Sequence, residues 1–62
     1  MNKLFGNVKY KANEDGTASI YAISKASGKR ELFGYCEIAL IPMLKSQEAF
    51  KAHMYMIRIK EG

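Results

Sequence analysis

The sequence predicts a small α+β domain: a three-stranded antiparallel β-meander, followed by one helix and a C-terminal strand. Residues 17–41 contain two runs rich in β-branched and aromatic side chains around a short turn that ends in glycine, which is typical of a β-hairpin. Residues 8–11 alternate apolar and basic side chains, as a half-buried strand does. Residues 42–52 consist mostly of good helix formers.

Length and composition limit what the chain can be. Its 62 residues predict one domain spanning residues 1–62. The hydrophobic fraction of 48% and the charged fraction of 26% are ordinary for a globular domain and unlike a disordered tail. The net charge of +4 favours acidic partners. A single cysteine excludes an internal disulfide, so the chain is not a disulfide-stapled secreted domain.

The sequence also bears on location. It contains no apolar run long enough to span a bilayer, and its first residues lack the apolar core of a signal peptide. We therefore expect no membrane partner and a cytoplasmic location, in a cell or in an infected host.

The first strand is predicted at residues 4–11. The following residues 14–16 fit a three-residue hairpin loop in which Gly16 takes the left-handed conformation. That loop pairs Asn13 with Thr17 and places Lys9 opposite Tyr21.

The second strand is predicted at residues 17–25, before a similar loop that ends at Gly28. A three-residue loop pairs Lys25 with Lys29 and places Tyr21 opposite Phe33. The hairpin tip then carries several basic residues close together, which calls for solvent or an anion nearby.

With both loops of this length, side-chain alternation assigns two faces to the sheet. One face is mostly apolar and is predicted to form the core under the helix: Leu4, Gly6, Val8, Tyr10, Ala18, Ile20, Ala22, Leu32, Gly34, Cys36 and Ile38. The other is mixed, aromatic and mostly basic: Phe5, Lys9, Lys11, Tyr21, Ile23, Lys25, Glu31, Phe33, Tyr35 and Glu37.

A helix is predicted over residues 42–52, with Pro42 at the first helical position and no capping side chain before it. Residues 53–60 alternate around Ile57 and Ile59, which favours a strand, although a continuation of the helix also fits their spacing. In this order of elements, the last strand runs parallel to the first and third.

Catalysis finds little support in the sequence. The chain has one cysteine, Cys36, and one histidine, His53, and Cys36 belongs to the predicted core face. A metal site needs more such ligands than these. Glu31 and Glu37 are about 20 Å apart along one strand, too far for paired acid–base chemistry. We therefore expect neither enzymatic activity nor a cofactor.

The aromatic, basic face indicates a non-catalytic nucleic-acid-binding protein. Aromatic rings on an open sheet stack on unpaired bases while basic side chains neutralise phosphates. The basic hairpin tip extends this surface. Single-stranded nucleic acid is the expected partner, and the predicted binding residues are Phe5, Lys9, Lys11, Tyr21, Lys25, Lys29, Arg30, Phe33 and Tyr35.

A second function class remains open. The chain also fits a small inhibitor or adaptor, of viral or mobile-element type, that binds an acidic surface of a host protein. It would act through the same face or through a sheet edge, and it could do so as a homodimer. A purely structural role of the aromatic residues is the third interpretation, because a cross-strand Tyr21–Phe33 pair stabilises a sheet without any ligand.

Overall fold

A computed structural model describes residues 1–59 and shows one antiparallel sheet in the strand order β1-β2-β3-β4-β5. The strands are β1 (Asn2–Phe5), β2 (Val8–Ala12), β3 (Thr17–Ile23), β4 (Arg30–Glu37) and β5 (Arg58–Ile59). A helical layer connects β4 to β5: a 3₁₀ segment (Ile38–Leu44), helix α1 (Gln47–Ala52) and a 3₁₀ turn (Met54–Met56). The α+β class is confirmed, but the three-stranded meander is wrong.

The additional strand lies at the N-terminus. Residues 4–11 are not one strand, because Gly6, at φ 50°, turns the chain back and separates β1 from β2. The register then passes from Lys3 opposite Lys9 to Phe5 opposite Val8, so Leu4 is an extra residue in β1. Because of this bulge, both Leu4 and Phe5 contact the core.

The hairpin of β2 and β3 has the predicted register. Lys9 lies opposite Tyr21, and the Asn13 amide donates a 2.8 Å hydrogen bond to the Thr17 carbonyl. Gly16 has the predicted positive φ, 85°. The Asp15 carboxylate accepts hydrogen bonds from the Thr17 amide at 3.1 Å and from the Thr17 hydroxyl at 2.6 Å, which fixes the turn.

The hairpin of β3 and β4 differs from the prediction by one residue at its tip. Gly28 has positive φ, 70°, as expected. However, the predicted pairing of Lys25 with Lys29 is wrong, because the Ser24 amide donates to the Lys29 carbonyl at 2.9 Å. The loop therefore contains four residues. The Ser24 hydroxyl holds it in this form by accepting hydrogen bonds from the Ala26 and Ser27 amides.

A β-bulge at Phe33 compensates for the longer loop. Tyr21 lies opposite Leu32, whereas Ile20 lies opposite Gly34, so Phe33 has no partner of its own on β3. The predicted pairing of Tyr21 with Phe33 is therefore wrong. The residues of β4 beyond the bulge keep the predicted register, down to Thr17 opposite Glu37.

The predicted helix over 42–52 is too long. Pro42, which lacks an amide hydrogen, lies within the 3₁₀ segment, and α1 begins only after Ser46. The Ser46 hydroxyl caps α1 by accepting a 3.1 Å hydrogen bond from the Ala49 amide. None of the helices within residues 1–59 is long and apolar enough to cross a membrane.

The tail is neither a full strand nor a continuation of α1. The 3₁₀ turn Met54–Met56 precedes Arg58–Ile59, the part of the predicted strand that pairs with the sheet. β5 runs antiparallel to β4, so the predicted parallel orientation is wrong. Lys60, the last residue of the predicted strand, lies outside the described residues.

The helical layer covers one face of the sheet. The Phe50 ring of α1 packs against Phe5 and Phe33, with ring centroids 5.3 and 5.8 Å away. The predicted core positions of Leu32 and Ile38 are wrong: Leu32 lies on the opposite face, and Ile38 is 38% exposed. The buried core consists of Leu4, Ala18, Ile20, Cys36, Ile41, Leu44, Phe50 and Ile57.

β5 approaches β4 closely at a glycine. Gly34 is buried and lies opposite both Ile20 on β3 and Ile59 on β5. A Cβ atom at Gly34 would be only 2.6 Å from the carbonyl oxygen of Arg58. The absence of a side chain at Gly34 therefore allows β5 to join the sheet.

Candidate functional site

The sheet face opposite the helical layer is uncovered, and we call it the open face. Residues that pair across neighbouring strands share a face, so the register identifies its members. One row crosses β1 to β4 and the next crosses β2 to β5. The first row is Lys3, Lys9, Tyr21 and Leu32, and the second is Lys11, Ser19, Tyr35 and Arg58.

The two tyrosines form the aromatic part of this face. Tyr35 is 42% exposed and Tyr21 is half-buried. Tyr35 lies opposite Ser19 on β3, and Tyr21 is two residues further along that strand. The tyrosines are therefore diagonal neighbours, about 7–8 Å apart at their backbones. Two flat rings at this separation can each contact a different group of one extended ligand.

Basic side chains flank the tyrosines on both sides. Lys3, Lys9 and Lys11 lie on β1 and β2, and Arg58 lies on β5 at the other edge. Lys3, Lys11 and Arg58 are exposed, and Lys9 is half-buried. Strands are about 4.8 Å apart, so the cations of the second row span roughly 14 Å across the sheet. Among the strand residues of this face, the acidic one is Glu37.

A network of hydrogen bonds fixes one end of the open face. The Asn13 side-chain amide donates to the Thr17 and Ser19 hydroxyls, at 3.0 Å each. The Thr17 hydroxyl in turn donates to Asp15. These bonds hold the polar side chains beside Tyr35 in one arrangement, so the surface is preorganised there.

The structure places together most, but not all, of the residues predicted to bind. Lys9, Lys11, Tyr21 and Tyr35 share the open face as predicted. Arg30 lies on it as well, opposite Ile23. Lys25 and Lys29 are exposed at the hairpin tip, next to this face rather than within it.

The predicted positions of Phe5 and Phe33 on the open face are wrong. Both rings pack against Phe50, on the covered side of the sheet. Each residue lies at a bulge, where the register shifts by one and the alternation of side chains is interrupted. Their role is to hold α1 against the sheet.

The predicted set of face residues lacks Lys3, Leu32 and Arg58, which are members of the open face. Lys3 is missed because residues 4–11 are predicted as one strand, so β1 is not recognised as a separate strand. Gly6 and Asn7 are typical turn residues and could have indicated the break. Leu32 falls in the predicted core because strict alternation does not allow for the bulge. Arg58 alternates with Ile57 and Ile59, and that pattern is the signal that could have identified it.

The one cysteine and the one histidine of the chain are not members of the open face. Cys36 is buried in the core, where burial and then the negative charge of Glu37 raise the pKa of its thiol. His53 follows α1, and its buried Nδ1 has no hydrogen-bond partner within residues 1–59. The same residues hold no group of three or more potential metal ligands.

No protein-family model, curated protein or solved structure matches this chain. Its function is therefore inferred from its own surface.

Proposed function

We propose that this chain is a non-catalytic protein that binds single-stranded nucleic acid across the open face. The observation that supports this proposal is the register of the sheet, which aligns Tyr21 and Tyr35 between lysines on one side and Arg58 on the other. The basic residues of the five strands lie beside these rings on the open face: Lys3, Lys9, Lys11, Arg30 and Arg58.

Each part of this surface matches one part of a single strand. Stacking of an unpaired base on an aromatic ring contributes about 1–3 kcal/mol and tolerates any base, because every base has a flat π-face. Lysine and arginine side chains attract phosphates and release counterions. A duplex hides its base faces within the helix, so tyrosine rings on an open sheet face favour unpaired strands.

The experiment is a fluorescence titration of labelled DNA and RNA oligonucleotides of about 12 nucleotides, at low and at physiological salt. We expect both to bind at low salt and affinity to fall steeply as salt rises, since phosphate contacts dominate. Lys9→Ala and Lys11→Ala should each weaken binding and flatten the salt slope by about one unit.

The helical layer offers matched controls for these variants. Lys45→Ala and Lys51→Ala remove the same charge from exposed positions on the other side of the molecule. Tyr55 is 78% exposed in that layer, so Tyr55→Ala is the control for Tyr35→Ala. Equal losses for open-face and helical-layer variants, or no binding by the parent at low salt, would exclude the proposal.

A protein partner is the second candidate. The observation that favours it is the free edge of β1, which pairs with β2 on one side and, within residues 1–59, has no strand on the other. This outer edge can accept a strand from a host protein or from a second copy of the chain. Such binding relies on backbone hydrogen bonds and should persist at salt concentrations that abolish phosphate contacts. A salt-resistant complex in a native cell lysate treated with nuclease would favour this candidate, as would a cytoplasmic host partner.

A further inference from the structure

A cleft of about 520 Å³ opens beside Tyr35, at the end of the open face. Within residues 1–59, β5 pairs with β4 only at Gly34 and Tyr35. The outer edge of β4 after Tyr35 is therefore unpaired there, and the cleft lies along it. Leu40 and Met56 of the helical layer form its apolar wall together with Cys36 of β4. Its volume falls in the range of small-ligand sites, about 300–1,000 Å³.

The charged side chains that line the cleft are one carboxylate and one guanidinium group. Glu37 is two residues along β4 from Tyr35, on the same face, and Arg58 lies opposite Tyr35 on β5. Thr17 also lines the cleft, but its hydroxyl already accepts from Asn13 and donates to Asp15. Glu37 and Arg58 are the charged side chains that line the cleft, and the Tyr35 hydroxyl adds a further hydrogen-bonding group.

This combination does not suit a phosphate, because the Glu37 carboxylate would repel it. It suits a flat heteroaromatic ring with donors on one edge and acceptors on another. Such a ring can stack on Tyr35 and contact Leu40 and Met56, while Glu37 accepts hydrogen bonds and Arg58 donates them. A nucleobase of the strand bound to the open face has this chemistry.

The carboxylate discriminates among the bases. A carboxylate has two acceptor oxygens, and guanine is the base that presents two adjacent donors, N1–H and the 2-amino group, on its Watson–Crick edge. Adenine and cytosine offer one amino group there, next to an acceptor, and thymine and uracil offer one N–H between two carbonyls. Guanine also carries the O6 and N7 acceptors that arginine binds in pairs.

We propose that the cleft between Tyr35, Glu37 and Arg58 binds a guanine base, so that the chain prefers single strands with a guanine at one position. This inference rests on the proposed function. Glu37 would accept from the Watson–Crick edge, Arg58 would donate to O6 and N7 or to the adjoining phosphate, and Tyr35 would stack on the ring.

The test uses labelled oligothymidylates that carry one central guanine, hypoxanthine, adenine, cytosine or thymine, titrated at low salt. A well-formed bidentate contact discriminates by about tenfold, so the guanine strand should bind about tenfold more tightly than the all-thymine strand. Hypoxanthine lacks the 2-amino group, and its strand should lose most of that preference. RNA strands of the same design show whether the preference extends to ribose.

Glu37→Gln tests the residue itself. It should reduce the guanine preference to about twofold or less, and it should strengthen binding of the all-thymine strand because it removes a negative charge from a basic face. Glu48→Gln removes the same charge from the exposed surface of α1 and should keep the full preference.

The outcomes separate the two proposals. Equal affinity for the guanine and thymine strands, or a full guanine preference in Glu37→Gln, would overturn the guanine site while leaving strand binding intact. Failure of the parent chain to bind any of the strands at low salt would overturn both.

Discussion

The ring of Phe33 lies 5.8 Å from that of Phe50, although its neighbour Leu32 faces the opposite side of the sheet. The bulge at Phe33 makes this contact possible, because it directs Phe33 toward α1 at a point where alternation would direct it away. Phe33 is therefore part of the packing between α1 and the sheet, on the side opposite the open face.

Phe33→Ala should destabilise the domain clearly. Truncating a fully buried phenylalanine costs about 3–5 kcal/mol, and because Phe33 is half-buried we expect a smaller loss, which is still a large part of the stability of a small domain. Urea denaturation checks this, with Tyr35→Ala as the comparison. We expect Tyr35→Ala to unfold near the parent midpoint and to bind oligonucleotides poorly. A Phe33→Ala protein of parental stability with lost binding would instead place Phe33 at the ligand.

Gly34→Ala should displace β5. The added methyl group would lie 2.6 Å from the Arg58 carbonyl oxygen, a backbone atom that can retreat only if β5 moves. We expect a loss of about 1–3 kcal/mol in the free energy of unfolding, the usual cost of overpacking. In a chain that ends after Ile57, the same substitution should cost far less, and equal costs in the two backgrounds would contradict this explanation.

Gly28 should be sensitive to a β-branched residue. Its φ of 70° is left-handed, and a Cβ atom at this position would meet no non-neighbouring atom of residues 1–59 within 4 Å. The cost of Gly28→Val is therefore one of backbone conformation alone, and we expect a loss of about 1–2 kcal/mol by thermal or urea denaturation. Gly28→Asn should be milder, since asparagine tolerates this region.

Ser27→Ala is the neighbouring control for Gly28→Val. It removes exposed hydrogen bonds to Glu31 and from the Lys29 amide and should change stability by less than about 0.5 kcal/mol. Equal melting temperatures for Gly28→Val and the parent would contradict the turn conformation.

Cys36 should react slowly with thiol reagents in the native protein and rapidly in denaturant. It is 5% exposed, and burial together with Glu37 raises its pKa, so little thiolate is present near neutral pH. Glu37→Gln should lower this pKa and speed native labelling, whereas Glu48→Gln should not. Rapid labelling of the native parent would place Cys36 at the surface.

Asp15 should make stability depend on pH in the acid range. The Thr17 hydroxyl, and then the Thr17 amide, donate to its carboxylate and lower its pKa in the folded protein. The stabilisation is therefore complete above the ordinary carboxyl pKa of about 4 and is lost as the pH falls through the lower folded value. Urea midpoints measured from pH 6 to pH 2 should fall less steeply for Asp15→Asn than for the parent. Parallel curves would show that these hydrogen bonds do not affect the titration.

The sequence is sufficient to predict the hairpin of β2 and β3. Asp15 and Gly16 define one turn type, and that turn sets Lys9 opposite Tyr21. Alternation then predicts that Ala18, Ile20 and Cys36 are buried. These features depend on the conformation of one turn and on the two-residue alternation of side chains along a strand. Both follow directly from the local sequence.

The second hairpin could not be predicted in the same way. Gly28 fits the last position of a three-residue or a four-residue loop, and the side chain of Ser24 decides between them through its hydrogen bonds to the Ala26 and Ser27 amides. The bulge at Phe33 depends in turn on the packing of Phe50, which is distant in sequence. Local propensity contains no information on that contact. Alternation alone therefore places two phenylalanines on the open face, although both rings lie on the covered side of the sheet.

The bulge at Phe33 also sets the electrostatics of the hairpin end. In a regular ladder of the predicted register, Glu31 would share the face of Tyr21; with the bulge, Glu31 lies opposite Ala22 on the other side, and Arg30 takes the open face. One inserted residue therefore exchanges an anion for a cation at the same end of the surface without changing the composition of the chain. A sequence that removed one residue from the loop, and with it the need for the bulge, would place a carboxylate on the open face in place of the guanidinium group.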